Sequence, residues 1–301
     1  MDRLSVGQGM IKGMTHGSSE ALSVLAHQHL PSDVAERWVG LLRPAVRLET
    51  AAASDIAVGQ IGGLPRLPAD VEWPSWEGHG PLSFIASVDC AMLPAGAVDI
   101  TIPAEGTLSF FYFDGQLDDG EALVLAEDRE SWAGARVLYT TADETCGERD
   151  APAGLTPYPR VPLAAHTSMT AAEPWHPQIR DTFAPAAPLG NRYDHPVCKQ
   201  DFLDAMGEFD DEVGHQIGGH AHSIQNPVEI EVAEAVTDGD VSWGDPALDK
   251  EIGNWVLLAQ FDSDDAADMM WGDAGVLYWL IRPQDLAERR FDRAMFTWQC
   301  S

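Results

Sequence analysis

The tetrapeptide Gln60-Ile61-Gly62-Gly63 recurs as Gln216-Ile217-Gly218-Gly219, and the features that follow each copy recur in the same order. After the first copy come LSFIASVD (82–89), an apolar run ending in aspartate, and then Gly106 followed by the aromatic run TLSFFYF (107–113). After the second come VLLAQFD (256–262) and then Gly275 followed by VLYW. A tetrapeptide alone carries little weight, but three features in one order point to an internal duplication. Residues 59–113 and 215–281 are therefore expected to form similar sheets, with Gly62 matching Gly218 and Asp89 matching Asp262. Neither copy reads as a phosphate loop. IGGLPRLP runs into prolines that cannot open a helix, and IGGHAHS lacks the lysine of a P-loop. The glycines fit tight turns, or a close backbone approach between the duplicated halves.

Hydrophobic periodicity fills in the elements around the repeat. SSEALSVLAHQHL carries Ser18 or Ser19 as an N-cap and apolar residues at Leu22, Leu25, Ala26 and Leu30, and Pro31 ends it. A second amphipathic helix follows, capped by Ser32 or Asp33, with Val34, Trp38, Leu41 and Leu42 on one face until Arg43-Pro44. Beyond it, AVRLE (45–49), residues 82–89, residues 107–113 and ARVLYT (135–140) read as strands. Residues 141–200 hold nine prolines and little periodicity, so a long connection is expected there, followed by a short helix over Phe202–Phe209. VEIEVAEA (228–235), NWVLLAQFD (254–262) and GVLYWLI (275–281) read as further strands. RPQDLAERRFDRA (282–294) reads as a helix with Asp285 and Arg289 at i,i+4.

The expected fold is α+β, with two related, mainly antiparallel β lobes from an internal duplication, short N-terminal helices and a C-terminal helix. Residues 1–17 are expected to lack order and 18–44 to be the helices. Residues 45–140 form the first lobe, 141–200 the Pro-rich connection and 201–301 an acidic second lobe. The acidity is pronounced, because the chain carries a net charge of −30 and residues 201–281 contain 19 Asp or Glu against the single base Lys250. Such a field repels nucleic acid and anionic lipid and attracts basic proteins, polyamines or metal cations. No apolar run approaches the length of a membrane span, and MDRLSVGQGMIKGMTHG has no apolar core of the kind a secretion signal needs. A cytoplasmic protein with four free thiols, Cys90, Cys146, Cys198 and Cys300, is expected.

Several blocks carry a resemblance. IGGLPRLPADVEWP, GPLSFIASVD, GTLSFFYF, GHQIGG, LLAQFDSD, MMWGDAGVLYWLI and the ending FTWQCS together resemble the YwqG-like family of bacterial proteins, a domain of unknown function. The resemblance covers roughly residues 40–301, and MMWGDAGVLYWLI is its most specific part. It implies a cytosolic α+β protein with a largely antiparallel sheet and similar halves, and it implies no activity. The chain departs from the family pattern at His220-Ala221-His222, where tyrosine and proline are usual. The acidic stretch 201–212 and the Pro-rich connection look like local elaborations.

Candidate chemistry gathers at a few places. His215, His220 and His222 lie within eight residues, with His220 and His222 on one face of a strand, but no cysteine or second histidine pair completes a zinc set. Asp262, Asp264, Asp265, Asp268 and Asp273 lack the glutamate of a calcium loop and suit turn hydrogen bonds. Trp271 with Gly272-Asp273 can floor a pocket or fill a hairpin turn, and Trp243-Gly244-Asp245 repeats the tripeptide. Asp89 and Asp262 are acid/base candidates if the halves face each other. No nucleophile elbow is present, and no metal or other cofactor is expected. The candidate ligand-binding set is Gln60, Gly62, Gly63, Asp89, His215, Gln216, Gly218, Gly219, Asp262, Trp271 and Asp273, lining a seam where the two QIGG turns converge. The leading expectation is a binding protein, immunity-like or regulatory, that engages a basic partner through the acidic lobe or holds a small-molecule ligand. The alternative is a carboxylate-based hydrolase with its site between the lobes.

Overall fold

The computed structural model describes residues 18–183, 195–209, 214–237 and 245–301. The expectations for residues 1–17, for Trp243-Gly244 and for the acidic triplet Asp210, Asp211 and Glu212 lie outside the described residues. Helix α1 (Ser19–His29) starts where Ser18 accepts the amide of Ala21 at 3.2 Å, and it buries Ala21, Leu22, Leu25 and Ala26. Helix α2 (Ser32–Val39) begins after Pro31 and has no side-chain cap, so neither Ser32 nor Asp33 plays the expected part. Its buried face is Val34, Ala35 and Trp38. Among the described residues no helix is long and apolar enough to cross a membrane.

The strands follow in chain order: β1 (Arg43–Thr50), β2 (Gly59–Ile61), β3 (Arg66–Pro68), β4 (Ser75–Trp76), β5 (Gly80–Pro81), β6 (Ser83–Asp89), β7 (Thr107–Tyr112), β8 (Ala135–Thr140), β9 (Cys146–Glu148), β10 (Val161–Thr170), β11 (His215–Ile217), β12 (Val256–Asp262), β13 (Val276–Ile281) and β14 (Met295–Gln299). The remaining helices are α3 (Pro177–Phe183), α4 (Gln200–Phe209), α5 (Val228–Val236), α6 (Pro246–Ile252) and α7 (Pro283–Ala287). Ten strands form one antiparallel sheet in the order β14-β13-β12-β11-β1-β10-β2-β6-β7-β8. At its centre β1 and β10 pair over eight positions, from Arg43 opposite Thr170 to Thr50 opposite Leu163. Outward on either side comes a three-residue strand carrying the Gln-Ile pair, β11 or β2, and then a seven-residue strand, β12 or β6. A bulge interrupts each of those, between Leu257 and Ala259 in one and between Phe84 and Ala86 in the other.

The sheet curls until its ends approach, giving a nearly barrel-shaped body. Phe110 of β7 meets Phe261 of β12 and Trp279 of β13 at ring-centroid distances of 5.0 and 5.2 Å, and Tyr112 stacks on Phe296 of β14 at 4.8 Å. These pairs join strands that are far apart in the sheet order. Burying each such side chain stabilises by roughly 1.5–3 kcal/mol, and each aromatic pair adds about 0.5–1.5 kcal/mol. Strand β13 is buried on both faces. Leu277, Trp279 and Ile281 point into this core, while Val276, Tyr278 and Leu280 pack under α5 and α6. A third apolar cluster joins α1, α2 and α4, where Trp38 meets Phe202 edge-on at 5.2 Å.

Three segments depart from the sequence-based expectation. VEIEVAEA is not a strand but helix α5: its alternation is short, Pro227 sets the entry, and Glu229 and Glu231 complement the positive end of the helix. The expected C-terminal helix stops at Ala287 because Arg289 takes a left-handed conformation (φ 57°), and Asp285 pairs with Arg293 at 3.0 Å instead of Arg289. The following FTWQ is the edge strand β14. Residues 141–200 are more than a connection, since they supply β10, so both sets of strands belong to one sheet.

Candidate functional site

Each QIGG copy ends a strand with two successive left-handed glycines, at φ 64° and 75° for Gly62 and Gly63 and at 67° and 73° for Gly218 and Gly219. The preceding glutamine pins each turn. Gln60 Nε2 donates to the carbonyls of Gly62 (2.8 Å) and Leu64 (3.1 Å), and Gln216 Nε2 donates to those of Gly218 (2.7 Å) and His220 (2.9 Å). A Cβ on Gly219 would stand 2.6 Å from Thr170 Oγ1 and 2.7 Å from Ala45 Cβ, so only glycine fits there. The two turns do not meet. β1 and β10 separate them, and Gly62 abuts Tyr158 and Pro159 whereas Gly218 abuts Val98 and Asp99. The expected seam between them is therefore not formed.

The other sequence-flagged residues fall in different places. Asp89 accepts the amide of Ala91 at 3.0 Å and caps a short turn. His215 Nδ1 accepts the amide of Asp262 at 3.1 Å, which leaves Nε2–H to face Asp264 Oδ2 at 3.2 Å. That contact holds the Asp264 carboxyl below the usual range, while burial raises that of Asp262. Trp271 fills the core, touching the rings of Tyr112 and Tyr158, and donates its indole N–H to the carbonyl of Asp262 at 3.3 Å. Asp273 is exposed in the turn that follows. His215, Asp262 and Trp271 thus come together, whereas Gln60, Asp89 and Asp273 stand apart from them. His220 lies away from His215, packed on His176, and among the described residues no three His, Cys, Asp or Glu side chains are grouped as metal ligands.

Among the described residues, a cleft of ≈ 330 Å³ lies between the outer face of the central strands and the layer made by α1, α2, α3 and α4. One wall is apolar, made by Leu22, Trp38, Met169, Ile179, Phe202 and Met206. Its polar side is built from Thr170, Glu173, Gln216, His220 and His222, with Arg47 also lining it and Trp175 standing exposed at the surface. Of the sequence-flagged residues, Gln216, His220 and His222 reach this cleft.

Strand pairing and glycine geometry fix His220. The turn after β11 brings its amide to Thr170 Oγ1 (2.8 Å), and its ring Nε2 donates to the carbonyl of Leu41 (3.0 Å). Because a carbonyl only accepts, Nδ1 is the unprotonated nitrogen, and it is buried without a partner among the described residues. Burial, with Arg43 and His176 nearby, holds the His220 pKa down to about 3. His176, its ring centroid 5.6 Å away, accepts the amide of Gln178 on Nδ1 and turns Nε2 toward Glu229 Oε1 at 3.9 Å. Burial lowers its pKa as well. Glu173 sits beside this pair, and burial together with the Glu229 charge pushes its carboxyl up to about 7. A neutral imidazole and a carboxyl titrating near 7 therefore stand on the polar side of the cleft, opposite its apolar wall. Such a site is equipped to hold a molecule with an apolar body and a hydrogen-bond-donating head.

The sequence reading missed Glu173, Trp38 and Phe202 as residues lining the cleft, and His176, which packs on His220. The available signal was EPWHP (173–177), a carboxylate, an indole and an imidazole between two prolines inside a segment read as connection. Together, fold and cleft define a class, an α+β protein with one curled antiparallel sheet and a helical layer closing a polar-sided cavity. A family model described as a domain of unknown function (DUF1963) matches residues 59–300, and the chain belongs to that family. No curated protein matches the chain.

Proposed function

We propose that the protein is a binding protein whose small-molecule ligand occupies the cleft between the central strands and the helical layer. The observation that carries this reading is the cleft itself, which sets an apolar wall of Leu22, Trp38, Met169, Ile179, Phe202 and Met206 against a polar side that holds the half-buried Glu173. Gly207 offers a clean test, because it lines the cleft and a Cβ there meets nothing within 4 Å. Gly207→Phe should fill the entrance, preserve the thermal midpoint and abolish the change in Trp38 and Trp175 fluorescence produced by ligands. Unchanged ligand response in that variant would sink the reading.

The matching strand lengths, the paired bulges and the two identically pinned glycine turns support an origin by internal duplication, with each half built around one member of the β1–β10 pair. The YwqG-like blocks and the free cysteines fit a cytoplasmic bacterial protein. A second reading, engagement of a basic protein in an immunity-like or regulatory role, draws on the acidic excess in residues 201–281. It predicts binding that weakens with salt and on neutralising Asp210, Asp211 and Glu212. The hydrolase alternative would rest on Asp262, Asp264 and His215. It is the weaker one, since both ring nitrogens of His215 are already engaged.

A further inference from the structure

We propose that the cleft selects a cationic ligand, a primary ammonium carried on an apolar chain. This rests on the cleft reading above and assigns the ligand its chemical class.

The polar groups at the cleft's sheet side are mostly spent on the fold. Thr170 Oγ1 donates to the carbonyl of Arg43 and accepts the amide of His220, and the Gln216 amide is used on its own turn. What remains toward the cleft is the carboxyl of Glu173, with the buried Glu229 near it. The nearby imidazoles are neutral, His176 accepting on Nδ1 and His220 donating from Nε2 to a carbonyl, so neither supplies a countercharge. The neighbouring guanidiniums are largely matched: Arg43 faces Asp99 at 3.7 Å, and Arg180 of α3 pairs with Asp181 and Asp249 at 2.7 and 2.6 Å. Arg47 and His222 line the cleft on the same sheet side, and neither is without a partner of its own. An ammonium has three donors and no acceptor, which suits this set. A carboxylate or phosphate head would meet acceptors and a second negative charge. The net charge of −30 also draws cations toward the molecule from a distance.

Glu173 makes the binding pH-dependent in a defined sense. An ammonium stabilises its ionised form, and an alkylamine stays protonated to about pH 10. Affinity should therefore rise as pH passes upward through the Glu173 pKa of about 7.

The experiment titrates the full chain with n-octylammonium, n-octanol and n-octanoate by calorimetry at pH 6 and pH 8. Octylammonium is expected to bind most tightly, with affinity roughly tenfold higher at pH 8, as the ionised fraction of a group titrating near 7 dictates. Glu173→Gln should lose that pH dependence and the preference for the amine while still binding octanol. Equal or tighter binding of octanol or octanoate, blocked by Gly207→Phe, would overturn the cationic assignment and leave the cleft reading standing. Failure of all three to bind would overturn both.

Discussion

At His220 and Glu173 the same burial acts on opposite charges, and the two residues titrate stability in opposite directions. The unfolded chain protonates His220 near its ordinary value of 6.5, whereas the fold holds it to about 3. Its contribution is complete above about pH 6.5 and is lost as the pH falls toward 3. The folded-state pKa of Glu173 is raised from 4.5 to about 7, so its contribution is complete below about pH 4.5 and is lost as the pH rises through 7. Thermal midpoints measured from pH 4 to 9 should therefore fall less steeply on the acid side in His220→Gln and less steeply on the alkaline side in Glu173→Gln. Identical profiles in variants and wild type would remove these residues from the proton balance. The sequence disclosed His220, because a histidine beside a double glycine stands out. It hid Glu173, since a carboxylate among prolines has no periodicity, and the Glu229 charge that helps to raise its pKa comes from a helix more than fifty residues away in the chain.

Among the elements, β10 was the least legible and is among the most consequential. VPLAAHTSMT lacks the aromatic residues that marked β7 and β13, and its Pro162 has no N–H to give to a ladder. The fold accommodates that proline by using its carbonyl, which accepts the amide of Ala51 at 2.8 Å. Leu163 is fully buried between β1 and β2, so Leu163→Ala should cost about 2–5 kcal/mol in urea unfolding, with the cleft's ligand response retained in the folded fraction. A loss below about 1 kcal/mol would mean the centre of the sheet tolerates a cavity there. By contrast β6, β7, β8, β12 and β13 were readable, because aromatic and β-branched runs bounded by Gly or Asp have few alternatives. Helix α5 deceived for the converse reason: Val-Glu-Ile-Glu-Val alternates over a stretch too short to distinguish a strand from one helical turn and a half.

Over the whole molecule, 48 acidic residues oppose 18 basic ones, and the folded state concentrates that repulsion in a smaller volume than the unfolded chain does. Raising sodium chloride from about 0.01 to 0.15 M shortens the screening length from about 30 to 8 Å and should raise the thermal midpoint by several degrees. A fall instead would show that ion pairs such as Arg180 with Asp249 outweigh the repulsion. The repeat foretold the outer strands, but the joining of both sets through β1 and β10 was not legible, because it depends on pairing across a long stretch of chain. That pairing also governs how the protein is made. During synthesis β1 leaves the ribosome with neither of its sheet neighbours in existence: β10 follows on the order of a hundred residues later, and β11 later still. At roughly 5–20 residues per second the nascent strand waits several seconds with both edges open, so this chain is one whose yield should depend on chaperones that shield it during that interval.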